Sequence, residues 1–193
     1  NEGAGYFDVN QRAGWRWNTA KAFLKPVLGR KNLTVLTKAH VKRLIIEEDR
    51  VTGVEFHHDG VLKKMRARRE TVLSAGAIGS PHVLELSGVG RGDVLQAAGI
   101  DTVAEVQGVG ENLQDHLEFY FQIASREPIT LYSAQGLVAK GRIGAQWLLM
   151  KNGLGATNHF ESCGFIRSRP GVAYPDIQFH FLPLAVTYDG KGL

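Results

Sequence analysis

One cysteine, two methionines and no long apolar run set the first limits on this 193-residue chain. A single Cys163 excludes an intramolecular disulfide and a thiolate metal site, and in its apolar surroundings it reads as a small core residue in a reducing compartment. The seven histidines show none of the short spacings of a zinc site. His57 and His58 are adjacent and precede Asp59 and Gly60, a solvated turn, so no metal is expected. No run approaches the ~18 apolar residues of a membrane helix. An initiator Met is also lacking: the chain begins on Asn1 and stops on "DGKGL" directly after an apolar run. It therefore reads as an excerpt of a longer protein, in which no targeting signal can be judged.

What is present suits a soluble globular chain, with 44% hydrophobic and 22% charged residues. The net charge of +4 is unevenly placed, because residues 1–70 carry 15 Lys and Arg against 8 Asp and Glu, and the remainder 8 against 11. A basic half raises the question of nucleic acid. However, "VKRLIIEEDRVTGVEFHHDGVLKKMRARRETVLSAG" reads as a β-meander, with strands near 41–47, 51–57 and 61–68, turns at "EDR" and "HDG", and a further strand near 71–75. Lys63, Lys64, Arg66, Arg68 and Arg69 then decorate one arm, where cations keep a solvated edge from pairing with other chains. No nucleic-acid motif accompanies them, and no nucleic-acid partner is expected.

Ahead of the meander, Asn18 or Thr19 caps a short helix that Pro26 curtails and Gly29 ends, and "NLTVLT" predicts a strand. Beyond it, "GRGDVLQAAGI" predicts a short helix with Asp93 near its N-terminus and Gly99 at its end, and "IDTVAEV" a strand. The texture changes near residue 116, after the glycine-rich "GVGENLQDH". Strands follow near 117–122, 162–167 and 177–182, with a helix in "GRIGAQWLLMKNG" closed by Gly153. The expected fold class is α/β (α+β), divided into 1–115 and 116–193.

The densest punctuation is "GAIGSPHVLELSGVG", residues 76–90. A strand "TVLSAGA" that ends in small residues and passes into "SPHVLELSG" leaves open backbone at the C-terminal edge of a sheet, where a flat ring or a phosphate can approach. Pro81 suits the first turn of that helix, whose N-terminus favours an anionic group. A tight strand–helix junction explains the same residues equally well, and spacing names no ligand.

That segment, followed by "GVGENLQDH", resembles the second signature of the glucose-methanol-choline (GMC) oxidoreductases. "RKNLTVLTKAHVKRLI" is similar to the same family's strand pair beneath the adenine of FAD, and the resemblance spans essentially the whole chain. It implies FAD as cofactor and a small-molecule alcohol as substrate. Residues 1–115 would be part of a Rossmann-like FAD-binding domain with its β-meander, and 116–193 part of a substrate domain on a mixed or antiparallel sheet. The family's adenine-contacting valine carries over to Val41, acting through its backbone, and Ala75 and Gly76 fall where the small-residue turn approaches the flavin cofactor. The family's phosphate-binding glycine turn and histidine base have no counterpart here. No catalytic residue is therefore assigned, and the isolated chain is expected to be colourless and inactive.

In the second half, "DHLEFYFQ", "IGAQWLLMKNGLGATNHFESCGFIRSR" and "PDIQFHFLPLAVTYDG" are similar to the bacterial choline-oxidising branch of that family. Alternation on 117–122 groups Glu118, Tyr120 and Gln122 against Leu117, Phe119 and Phe121, and on 177–182 it groups Gln178 with His180. A quaternary ammonium has no hydrogen to donate, so a carboxylate and aromatic faces must hold it. The resemblance carries the cation-contacting acid to Glu118 and a substrate-side histidine to His180. Trp147 fits an apolar helix face, and His159 and Glu161 stand near enough in sequence to line the same cavity. A GMC enzyme for another alcohol and a non-catalytic quaternary-ammonium binding module remain alternatives. The branch resemblance implies a cytoplasmic protein, leaves peripheral attachment to the inner membrane open, and does not decide between oxygen and a quinone as electron acceptor.

Overall fold

The computed structural model describes residues 2–185; the terminal "DGKGL" lies outside them. In chain order the strands begin with β1 (Gly3–Tyr6), β2 (Gln11–Arg12) and β3 (Trp15–Arg16), then β4 (His40–Glu47), β5 (Arg50–His58) and β6 (Val61–Arg66). Helix α1 (Gly76–Glu85), β7 (Val89–Gly90), α2 (Gly92–Ala97) and β8 (Ala104–Glu105) follow. Helix α3 (Leu137–Met150), β9 (Ser162–Ile166) and β10 (Ile177–Phe181) complete the set. The architecture is mixed α/β with several antiparallel sheets. Two compact units emerge, one spanning 34–118 and the other combining the described parts of 1–33 and 119–193.

Unit 34–118 is built on the expected meander, in the order β4-β5-β6. Its two-residue turns place Glu48 and Asp49, and then Asp59 and Gly60, at positive φ, which is the backbone twist that joins adjacent antiparallel strands. A register shift between Val41 and Arg43 brings Lys42 and Arg43 to the same carboxylate. Glu55, only 2% exposed, has Arg43 at 3.2 Å, Lys64 at 3.5 Å and Lys42 at 3.7 Å. Hydrogen bonding from Arg43, with the charge of Arg43, Lys64 and Lys42, holds the Glu55 carboxyl below the usual carboxylate range against the opposing effect of burial.

A depressed carboxylate stabilises the fold above its ordinary pKa near 4.5 and loses that contribution as pH falls through the lower folded value. Glu55→Gln is therefore expected to lower Tm at neutral pH, with the gap to wild type closing as pH falls below the ordinary carboxylate range. Thermal scans across pH check this, and a gap of constant size would remove Glu55 as the source.

The core of this unit forms where α1 covers the outer edge of β4. Leu44, Phe56 and Val83 are buried on these elements, and Leu95 is buried beside Gly90. The Leu44 amide, which has no strand partner on that edge among the described residues, donates to Ser87 Oγ at 2.8 Å. Three expected strands are reduced. Residues 32–37 and 71–75 form no ladder, and "IDTVAEV" pairs only through β8, in parallel with β7. Their residue pattern suits a strand, but a strand also requires neighbouring N–H and C=O groups; among the described residues 32–37 and 71–75 pair with none in a ladder, and "IDTVAEV" with β7 alone.

The other unit holds an antiparallel sheet in the order β1-β9-β10, the later two strands falling where expected. Asn18 caps the short helical stretch Ala20–Val27, its Oδ1 accepting the Lys21 amide at 3.0 Å, and Pro26 sits within its final turn. Trp147 on α3 is a junction residue: its Nε1 donates to Gly14 O at 2.8 Å, and its ring meets Trp15 edge-on at 4.6 Å. The Lys151 ammonium lies 4.8 Å from Trp15 and 4.7 Å from Trp147. Lys151, not Gly153, closes α3, with φ 57° and its amide donating to Trp147 O. The left-handed cap costs a lysine about 1–2 kcal/mol, and its cation–π contacts offset part of that.

Candidate cofactor and substrate sites

The glycine-rich stretch divides into two physical cases. Helix α1 starts at Gly76, after Ala75, with no side chain capping it; the Ala75 amide donates to Ser80 Oγ at 3.0 Å. Gly76 has φ +87°, and a Cβ built there meets no atom within 4 Å. The main chain of an exposed, uncapped first turn is thus open to a planar or anionic group. Pro81 falls beyond that first turn, contrary to expectation. The helix begins earlier because residues 76–79 already wind into it, and Pro81 removes the amide that would reach back to Ala77.

Gly88 and Gly90 answer to the chain itself. A Cβ on Gly88, at φ +81°, would lie 2.5 Å from Asp101 O and 2.8 Å from a Val103 methyl, while Gly88 O accepts the Val103 and Ala104 amides at 2.7 and 3.1 Å. A Cβ on Gly90 would touch Glu85 and Leu95. The second glycine loop is anchored through Arg91, which bonds Asp93 at 2.6 Å and Glu111 at 3.2 Å. That pairing holds the Asp93 carboxyl below the usual range. Glu105 fixes the start of α2 by accepting the Gly92 amide at 3.0 Å.

Val41 is half-buried opposite Phe56, at the register shift of edge strand β4. It shares a unit with Ala75 and Gly76, and α1 packs on β4.

On the substrate side, His180 sits in β10 directly opposite Cys163. Its ring lies 5.2 Å from Phe7 and 5.9 Å from Phe160, the latter edge-on. Sequence reasoning missed both phenylalanines. Phe7 reaches His180 only because β1 joins the far side of β9, a pairing across more than 150 residues that no local pattern announces.

Glu118 is exposed, in a stretch with no strand; the expected 117–122 strand is absent among the described residues. Phe119 and Phe121 still meet edge-on at 6.2 Å, so the alternation persists locally without a ladder to make it a sheet. Glu118 closes one compact unit and His180 belongs to the other. His159 takes left-handed backbone at φ 66°, its amide donating to Thr157 Oγ1 at 3.2 Å. Among the described residues no group of His, Cys, Asp and Glu is arranged to hold a metal ion, and no helix is long and apolar enough to cross a membrane.

Comparison with known proteins joins these observations. The GMC oxidoreductase family profile matches residues 1–118. The chain is 50% identical over 98% of its length to the oxygen-dependent choline dehydrogenase of Brucella ovis, and equally to that of Photobacterium profundum, covering 34% of each. It thus spans about a third of the length of the curated relatives it matches. Among solved structures, pyridoxine 4-oxidase from Mesorbium loti superposes with a TM-score of 0.65 at 33% identity, over 85% of this chain and 28% of that one. The glycine-rich turn, the meander beneath it and the similarity that continues through the second unit have one common explanation: the chain belongs to the GMC oxidoreductase family.

Proposed function

We propose that the protein carrying this chain is an FAD-dependent alcohol dehydrogenase that oxidises choline to betaine aldehyde and onward to glycine betaine. The observation that carries this reading is the 50% identity to choline dehydrogenases over 98% of the chain, which takes in the substrate-side residues along with the family signature. The residues present fit FAD. The space over Gly76 admits a group that any Cβ would obstruct, the first turn of α1 offers amides that no side chain caps, and Thr71 Oγ1 nearby in sequence is buried without a partner.

In this reading Val41 meets the adenine through its main chain, while Ala75 and Gly76 present bare backbone to the cofactor. When bound, FAD supplies the acceptor for the hydride that leaves the alcohol carbon. Glu118 holds the trimethylammonium group by charge. His180, framed by Phe7 and Phe160, supplies the polar group of a largely aromatic wall. The single cysteine agrees with a cytoplasmic protein, and peripheral attachment to the inner membrane stays open in this reading. The test is anaerobic addition of choline to the full-length protein: loss of the oxidised flavin absorbance supports the reading, and an unchanged spectrum overturns the substrate assignment.

A further inference from the structure

We propose that Ser87 is a positioning residue for the cofactor, locking the strand that carries Val41 to the helix that begins at Ala75 and Gly76. This inference rests on the cofactor reading above.

Ser87 is 8% exposed and sits two residues past the end of α1. Its hydroxyl donates to Val83 O at 2.5 Å and accepts the Leu44 amide at 2.8 Å. The first bond is the i to i−4 contact of a helical serine, which fixes the rotamer and aims the remaining lone pair. The second bond is what that lone pair meets: an edge-strand amide with no ladder partner on its side. Both partner residues, Val83 and Leu44, are buried, so losing either bond would leave a polar group with little access to water.

The consequence for the site follows from rigidity. Helix α1 has ten residues, about 15 Å of stiff rod, with the open turn at one end and Ser87 just past the other. Leu44 lies three residues along β4 from Val41, across the register shift. The Ser87 bond therefore sets the separation and tilt of the two segments proposed to hold opposite parts of FAD. The apolar packing of α1 on β4 is joined there by a directional bond with one preferred geometry, which adds a fixed point to the contact.

The experiment uses the full-length protein stripped of flavin, with FAD affinity read by fluorescence quenching and the recovered visible spectrum, beside thermal stability. Ser87→Ala is expected to weaken FAD about tenfold and to alter the bound-flavin spectrum. Ser87→Thr, which keeps the hydroxyl, should retain near wild-type affinity. Val83→Ala, which loosens the same helix–strand contact without touching the hydroxyl bridge, should lose stability but hold FAD. Should Ser87→Ala not fold, Ser87→Cys keeps the volume, weakens both bonds and carries the same expectation. Wild-type affinity in Ser87→Ala, or equal loss in Val83→Ala at matched stability, overturns the proposal. A wild-type protein that takes up no FAD overturns the cofactor reading itself.

Discussion

Replacing Glu118 by Gln in the full-length protein is expected to cut kcat/KM for choline by about 100-fold, while turnover of the uncharged isostere 3,3-dimethylbutanol changes by no more than about twofold. A trimethylammonium group makes no conventional hydrogen bond, so its recognition rests on Coulomb attraction and aromatic faces. Both grow as water is excluded. Glutamine keeps the size and polarity of the side chain and removes only the charge, so the loss should be confined to the charged substrate. Steady-state kinetics with the two alcohols separate the outcomes. Equal losses for both would mean that Glu118 acts on the fold or the chemistry, and no loss would return it to an ordinary solvent-facing role.

The second large effect contrasts two glycines of one segment. Gly88→Ala is expected to destabilise the protein by about 2–5 kcal/mol. A left-handed backbone costs a non-glycine residue about 1–2 kcal/mol, and forcing a methyl against well-packed neighbours adds about 1–3 kcal/mol. The obstacle is the Asp101 carbonyl, 2.5 Å from the new carbon, and Gly88 O is already fixed by two amides, so neither side yields easily. Gly76→Ala shares the positive φ but meets nothing within 4 Å. It should cost about 1–2 kcal/mol of backbone strain and instead lower the flavin content of the purified protein. Unfolding curves and the ratio of flavin to protein absorbance measure both. Two variants with the same profile would mean that the segment serves one purpose throughout.

That contrast also shows what the amino-acid order can reveal. The meander was legible because its strands alternate and because Glu48-Asp49 and Asp59-Gly60 are turn residues placed between them; both are local properties. The density of glycine in 76–90 was legible too, but not its division into an open turn and a packed one, since the atoms that crowd Gly88 come from residues 101–103. Strand patterns at 32–37 and 117–122 misled for a related reason. Alternation describes a residue's preference, and pairing depends on a second segment. Phe7 beside His180 and Lys151 beside Trp15 were invisible on the same ground: each contact joins parts of the chain more than 130 residues apart. Val41, Ala75, Gly76, Glu118 and His180 came from family resemblance, because isolated residue types carry no such information.

Anaerobic flavin reduction in the full-length protein, comparing choline with 3,3-dimethylbutanol at equal concentration, shows whether the alcohol is held by its charge. Choline is expected to reduce the flavin faster by at least about tenfold, the advantage a desolvated cation site confers. Equal rates, or reduction by the neutral alcohol alone, would contradict it and leave a GMC oxidoreductase whose substrate is some other alcohol.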